Sequence, residues 1–218
     1  MTRYVELSHP LRNGMAPYPG LPAPVFDAVI DHESSRPRYD DEAEFYLGHV
    51  DMPTNIGTYL DSPFHRYRDR EDLAGIALER CAGLPGAVLQ ARIEDRAVEL
   101  DGADVPEGSA VLIRTGWSER WGTDAYWEPG PFIGARSLER LVEARPALVG
   151  VDCWNVDDTE GDPSRSVHTG LLGAGILIVE HMTGLDLLPP SGFRFYAVPL
   201  AIEGGASFPV RAFAEIET

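Results

Sequence analysis

Residues 136–152 read RSLERLVEARPALVGVD, and their pattern sets the fold class. Leu138, Leu141 and Val142 recur at helical spacing between Arg136 and Arg145, and an apolar run from Ala147 to Asp152 follows as a strand. A helix feeding a strand is half of a crossover unit, and the flanks supply the rest. Ala87 to Ile93 and Ala110 to Arg114 read as strands before it, and Ile176 to Glu180 and Phe193 to Ile202 as strands after it. Short helices are expected from Thr169 into Gly173 and at the Asp72 to Leu78 turn. Strand and helix in alternation imply an α/β fold with some parallel sheet.

Further out the pattern loosens. Tyr4 to Leu7 and Val25 to Ile30 are strand candidates, separated by a proline-rich run that reads as an ordered covering arm. Asp31 to Glu44 is polar and reads as a loop. Leu47 to Leu60 has no clean period, is broken by Pro53 and Gly57, and has the texture of a segment that lines a site. No internal repeat or composition break divides the chain, so residues 1–218 are expected to form a single domain.

Composition narrows the function. The formal net charge is -17, from 35 acidic against 18 basic residues, which disfavours nucleic acid and anionic membrane as partners. No stretch approaches a membrane span and no leader pattern is present, so a cytoplasmic location is expected. Cys81 and Cys153 lie in apolar surroundings and are expected as reduced, buried thiols. Dinucleotide, P-loop and serine-elbow signatures are absent.

The polar residues gather in three clusters. Residues 55–65 read NIGTYLDSPFH, with Asp61 and His65 four apart and a glycine-threonine pair that lets backbone pass close to a ligand. Asp61 could hold a metal and His65 could bind it or exchange protons near neutrality. The same spacing also fits a turn whose carboxylate caps backbone N–H groups. Downstream, His168 and the strand-ending Glu180 could join Asp61 to give one nitrogen and two carboxylates for a divalent ion. His181, next along, falls on the opposite face and reads as surface or as support behind the site. In the third cluster, Asp157 could orient a catalytic histidine or cap a loop, and Asp152 reads as structural. Phe64, Trp117 and Trp154 are the aromatic candidates for walls against a flat substrate, with Asn55 beside them. His9, His32 and His49 have no assignable partner.

At these clusters the chain resembles the metal-dependent cyclase family of kynurenine formamidases, isatin hydrolases and polyketide-associated cyclases. Leu7-Ser8-His9-Pro10-Leu11, Val149-Gly150-Val151-Asp152 and Pro209-Val210-Arg211 carry the likeness at the start, middle and end. The central motif, His-x-Gly-Thr-His-x-Asp-x-Pro-x-His in the family, here has Asn55 and Tyr59 at two histidine ligand positions. The resemblance implies a swivelling β/α domain with a barrel-like mixed sheet and flanking helices. It also implies a homodimer or homotetramer, Asp61, His168 and Glu180 as ligands, and His65 as general acid/base. Three functions follow from it. One is hydrolysis of an amide, lactam or lactone with a single zinc or manganese ion. Another is metal-free cyclisation or rearrangement of a small molecule by Tyr59, Asp61 and His65. The last is non-catalytic binding of a small molecule or a scaffold role; for the two enzymatic readings the expected partner is a small-molecule substrate with an aromatic body.

Overall fold

The computed structural model describes residues 1–217. The chain opens with β1 (Thr2–Glu6), β2 (Val25–Ile30), a short helix α1 (His32–Ser35), β3 (Leu47–Asp51) and β4 (Tyr59–Asp61). Next come β5 (Ala82–Gln90), β6 (Arg92–Glu94), β7 (Ala97–Glu99), β8 (Ala110–Arg114) and β9 (Phe132–Ile133). Helix α2 (Ala135–Ala144) then leads to β10 (Leu148–Val151), and α3 (Ser166–Gly173) to β11 (Leu177–Glu180). The described chain closes with β12 (Ser191–Tyr196), β13 (Ser207–Pro209) and β14 (Phe213–Glu217).

Nine of these strands form one mixed sheet in the order β1-β14-β12-β5-β8-β10-β11-β4-β13. Its centre, β5-β8-β10-β11, is parallel, and the strands on both flanks run antiparallel. The parallel part was legible because β10 and β11 are buried throughout and β8 for all but its last residue, giving continuous apolar runs. Side chains alternate across it. Val111, Ile113, Val149, Val151 and Ile178 pack beneath α2 and α3 with Leu141, Leu171 and Leu172. Leu112, Leu148, Leu177 and Val179 face the other way and meet Val5, Phe193, Phe195 and Ala214 from the outer strands. The sheet thus curls over one of its own faces while helices cover the other, the barrel-like α/β architecture that the family resemblance implied.

Some boundaries differ from expectation, for local physical reasons. Within the expected 31–44 loop, Asp31 accepts from the Ser34 N–H and Ser34 reciprocates, which caps α1, and a 3₁₀ turn follows at Arg36–Tyr39. The expected 87–93 strand begins earlier, at Ala82, and breaks after Gln90. The expected 193–202 strand ends at Tyr196, ahead of Pro199, which has no N–H for a ladder. The expected helix at 72–78 is instead a single turn, closed by the Gly75 N–H on the Asp72 carbonyl at 3.1 Å, and a separate 3₁₀ turn follows at Leu78–Arg80. Gly57 sits at φ +62, and a Cβ there would lie 2.5 Å from Leu11 Cδ2. Its close approach is therefore to the N-terminal arm. Cys81 and Cys153 are free and buried. Among the described residues, no helix is long and apolar enough to cross a membrane.

Candidate functional site

The site forms where β4 is inserted beside the end of β11. Antiparallel pairing sets Tyr59 opposite Glu180, and Asp61 opposite both Ile178 and Ser207 of β13. With a period of two, Tyr59 and Asp61 share a face while Leu60 enters the core beneath. Tyr59 donates its hydroxyl to Glu180 Oε2, and the Val156 N–H donates to Glu180 Oε1 at 2.7 Å. Ser207 donates to Asp61 Oδ1, which also faces Asn55 Nδ2 at 3.5 Å.

The two histidines come from opposite directions. Pro63 opens a 3₁₀ turn that ends at His65, whose side chain remains 32% exposed at the mouth of the site. His168 lies in the first turn of α3 and is buried. That helix starts three residues before the expected Thr169 because carboxylates from earlier loops fix its first turn. Asp162 accepts from the Ser166 N–H at 2.6 Å, and Asp157 from the Val167 N–H at 2.7 Å. Asp157 Oδ2 also meets His168 Nδ1 at 2.5 Å, so this acid both caps the helix and orients the imidazole. The other ring nitrogen, Nε2, is thereby left 3.6 Å from Asp61 Oδ2 and 3.7 Å from Glu180 Oε1.

Asp61, His65 and His168 thus offer ligand atoms that all lie within 4.8 Å of one another, a candidate metal-binding cluster. Glu180, expected as the third ligand, stands beside it, with each oxygen already accepting one hydrogen bond. The donor set fits a divalent ion on the evidence of one atom: Asp61 Oδ2 is buried and has no hydrogen-bond partner. A buried carboxylate oxygen left open is costly, and a cation there would satisfy it.

Charge and burial pull the groups apart. Burial disfavours a charged His168, yet Glu180, Asp157 and Asp61 outweigh it and push its pKa up to about 10. Glu180 is raised to about 7, chiefly by burial. Burial also opposes a charged Asp61, but the nearby His168, the charge of His65 and the Ser207 donor hold its carboxyl below the usual range. His65 is lowered by burial, against the pull of Asp61. Tyr59 rises well above the ordinary phenol range, through burial and then the charge of Glu180.

A cavity of about 330 Å³ opens over this cluster. Asn55, Tyr59, His65, His168 and Glu180 contribute to its lining, as do Tyr18, Leu21, Arg66 and Arg165, which sequence reasoning did not single out. Of the residues expected against a substrate, Asn55 lines the cavity. Trp154 stands one layer back, its ring 5.6 Å from that of Tyr18 and its indole N–H bonded to the Glu128 carbonyl. Trp117 donates to the Tyr126 carbonyl and carries Arg120 over its face, and Phe64 occupies the turn before His65 outside the lining. His181 is not at the surface. It is buried in a left-handed backbone conformation (φ +57) that ends the strand alternation, with Nδ1 2.9 Å from the Tyr126 hydroxyl. Burial lowers its pKa to about 3. His9 does have a partner, stacking on Trp121 with ring centroids 3.9 Å apart.

Known proteins resemble the chain over nearly its whole length. The kynurenine formamidase of Salinibacter ruber is 28% identical over 215 residues, 95% of each chain. That of Bacillus cereus strain ATCC 14579 is 26% identical over 212 residues, covering 97% of this chain and 96% of its own. Isatin hydrolase A from Ralstonia solanacearum superimposes with a TM-score of 0.83 at 27% identity, covering 99% of this chain and 92% of its own. The family model described as "Putative cyclase" matches residues 5–158, and by that match the chain belongs to this cyclase family.

Proposed function

We propose that the chain hydrolyses an amide, lactam or lactone bond with one divalent ion, zinc or manganese. The observation that carries this reading is the open, buried Asp61 Oδ2 facing His168 Nε2. Asp61 and His168 would hold the ion, with Glu180 Oε1 as third ligand through the lone pair that the Val156 N–H leaves free. When bound, such an ion supplies Lewis acidity to the scissile carbonyl and lowers the pKa of water. His65 is the member of the cluster with solvent access, which suits it to move protons. It takes a proton from water as the oxygen adds to the carbonyl carbon. It then returns that proton to the leaving nitrogen or oxygen as the old bond breaks, giving a carboxylic acid and an amine or alcohol.

The reduction to a single ion rests on Asn55 and Tyr59, which stand where the family motif has two histidine ligands. Both direct their polar atoms at the site's own carboxylates, Asn55 at Asp61 and Tyr59 at Glu180. The raised Tyr59 stays protonated and serves as a donor and not as a base. The relatives' names point to the first substrates to try: isatin, and the formamide of kynurenine. Protein loaded with zinc or manganese is expected to cleave at least one amide or lactam of this type. Chelator-treated protein should not, and His65→Ala should lower kcat/KM by about 10²–10⁴-fold. Full turnover after chelation would overturn the metal, leaving acid–base work by Tyr59, Asp61 and His65.

A further inference from the structure

We infer that Arg165, assisted by Arg66, forms an anion subsite in the cavity, and that the ligand is a flat molecule bearing a carboxylate. The substrate class rests on the hydrolase reading, whereas the subsite itself does not. Among the described residues, eight of the 18 arginines pair with a carboxylate, Arg80 with Glu71 and Arg96 with Asp158 for example. The two that line this cavity do not. Among the described residues, Arg66 is bonded only to neutral oxygens, Thr169 Oγ1 at 2.9 Å and the Ser164 carbonyl at 3.0 Å. Arg165 forms no ion pair among the described residues, and its Nη1 is buried without a hydrogen-bond partner.

A desolvated guanidinium nitrogen without an acceptor is unfavourable, and its planar fork matches a carboxylate better than any other common group. Arg165 lies three residues before His168, at the cap position from which α3 starts. The remaining wall is apolar. Tyr18, packed on Trp127 and Trp154, and Leu21 offer a flat surface to the body of the ligand. An anionic group at the arginines and a ring against Tyr18 would leave the labile bond to the Asp61, His65 and His168 cluster.

The test is calorimetric titration of the intact, metal-stripped protein with benzoate and with its neutral counterpart benzamide. Benzoate is expected to bind at least about tenfold more tightly, and Arg165→Gln to erase that preference while leaving benzamide binding unchanged. Arg165→Lys, which keeps the charge but not the fork, should retain part of it. If Arg165→Gln does not fold by circular dichroism, Arg165→Lys and the weakening of benzoate binding by salt in the unmodified protein carry the test. Equal affinity for the two ligands, no benzoate binding, or an undiminished preference in the folded Arg165→Gln protein would overturn the subsite. Neither probe is hydrolysed nor needs metal, so a chain that prefers benzoate but cleaves no amide refutes the hydrolase reading alone.

Discussion

Two buried aspartates of one sheet have opposite characters. Asp152, just past β10, accepts from the Thr115 N–H at 2.8 Å, the Thr115 hydroxyl at 2.5 Å and the Gly116 N–H at 2.8 Å. Asp61, at the end of β4, has one oxygen engaged by Ser207 and Asn55 and the other open beside His168. Both are essentially inaccessible to solvent. Burial pushes the Asp152 carboxyl up, and its three donors only partly offset that. Asp61 is pulled down despite deeper burial, because two histidines face it. Burial alone therefore does not mark a functional carboxylate. An unfilled lone pair next to imidazoles makes Asp61 the candidate ligand, and filled ones make Asp152 a bracket for a turn.

The sharpest way to break this contrast is to remove each aspartate. Asp61→Ala should lower kcat/KM by about 10³-fold or more with the chain still folded. Asp152→Ala should cost about 2–4 kcal/mol of stability, read from the urea midpoint, with kcat per folded molecule nearly unchanged. Exchanged outcomes would reverse the two assignments. Asp157→Asn tests whether orientation of His168 matters, and should weaken zinc binding about 10–100-fold in competition with a chelating dye.

The pH dependence of the metal-free protein sharpens the electrostatic half. His168 has its pKa raised from 6.5 to about 10 in the fold, so the stability it contributes is complete below 6.5 and is lost as pH rises towards 10. The melting temperature should fall across that window, and Asp61→Asn should flatten the slope; a flat profile in the unmodified chain would remove the charge cluster as its cause. The smallest expected effect is that of Tyr59→Phe. Losing the donor to Glu180 should lower stability by about 1 kcal/mol, seen in the same urea titrations, without loss of metal.

The sequence made the parallel centre readable because strands buried on both faces need unbroken apolar runs, and β8, β10 and β11 have them. Asp61, His65, His168 and Glu180 were readable through residue type and motif spacing; pairing of β4 with β11 brings Asp61 beside Glu180, and the Pro63–His65 turn and α3 add the two histidines. What escaped depends on contacts distant in sequence. His181 is buried because the backbone turns left-handed there, which strand alternation does not anticipate. Trp117 and Trp154 are aromatic enough for a cavity wall, but each commits its indole N–H to a backbone carbonyl of the 126–128 segment. Arg165 has no local signal at all, since what marks it is a buried Nη1 without a hydrogen-bond partner in the cavity wall.

The central claim is that the open Asp61 oxygen is a metal ligand. Elemental mass spectrometry on protein purified without chelator or metal-binding tag, then incubated with zinc or manganese, tests it directly. About one ion per chain is expected in the unmodified protein and in Asp152→Ala, and essentially none in Asp61→Ala. An unmodified chain that takes up no ion, or an Asp61→Ala chain that keeps the full complement, would contradict it.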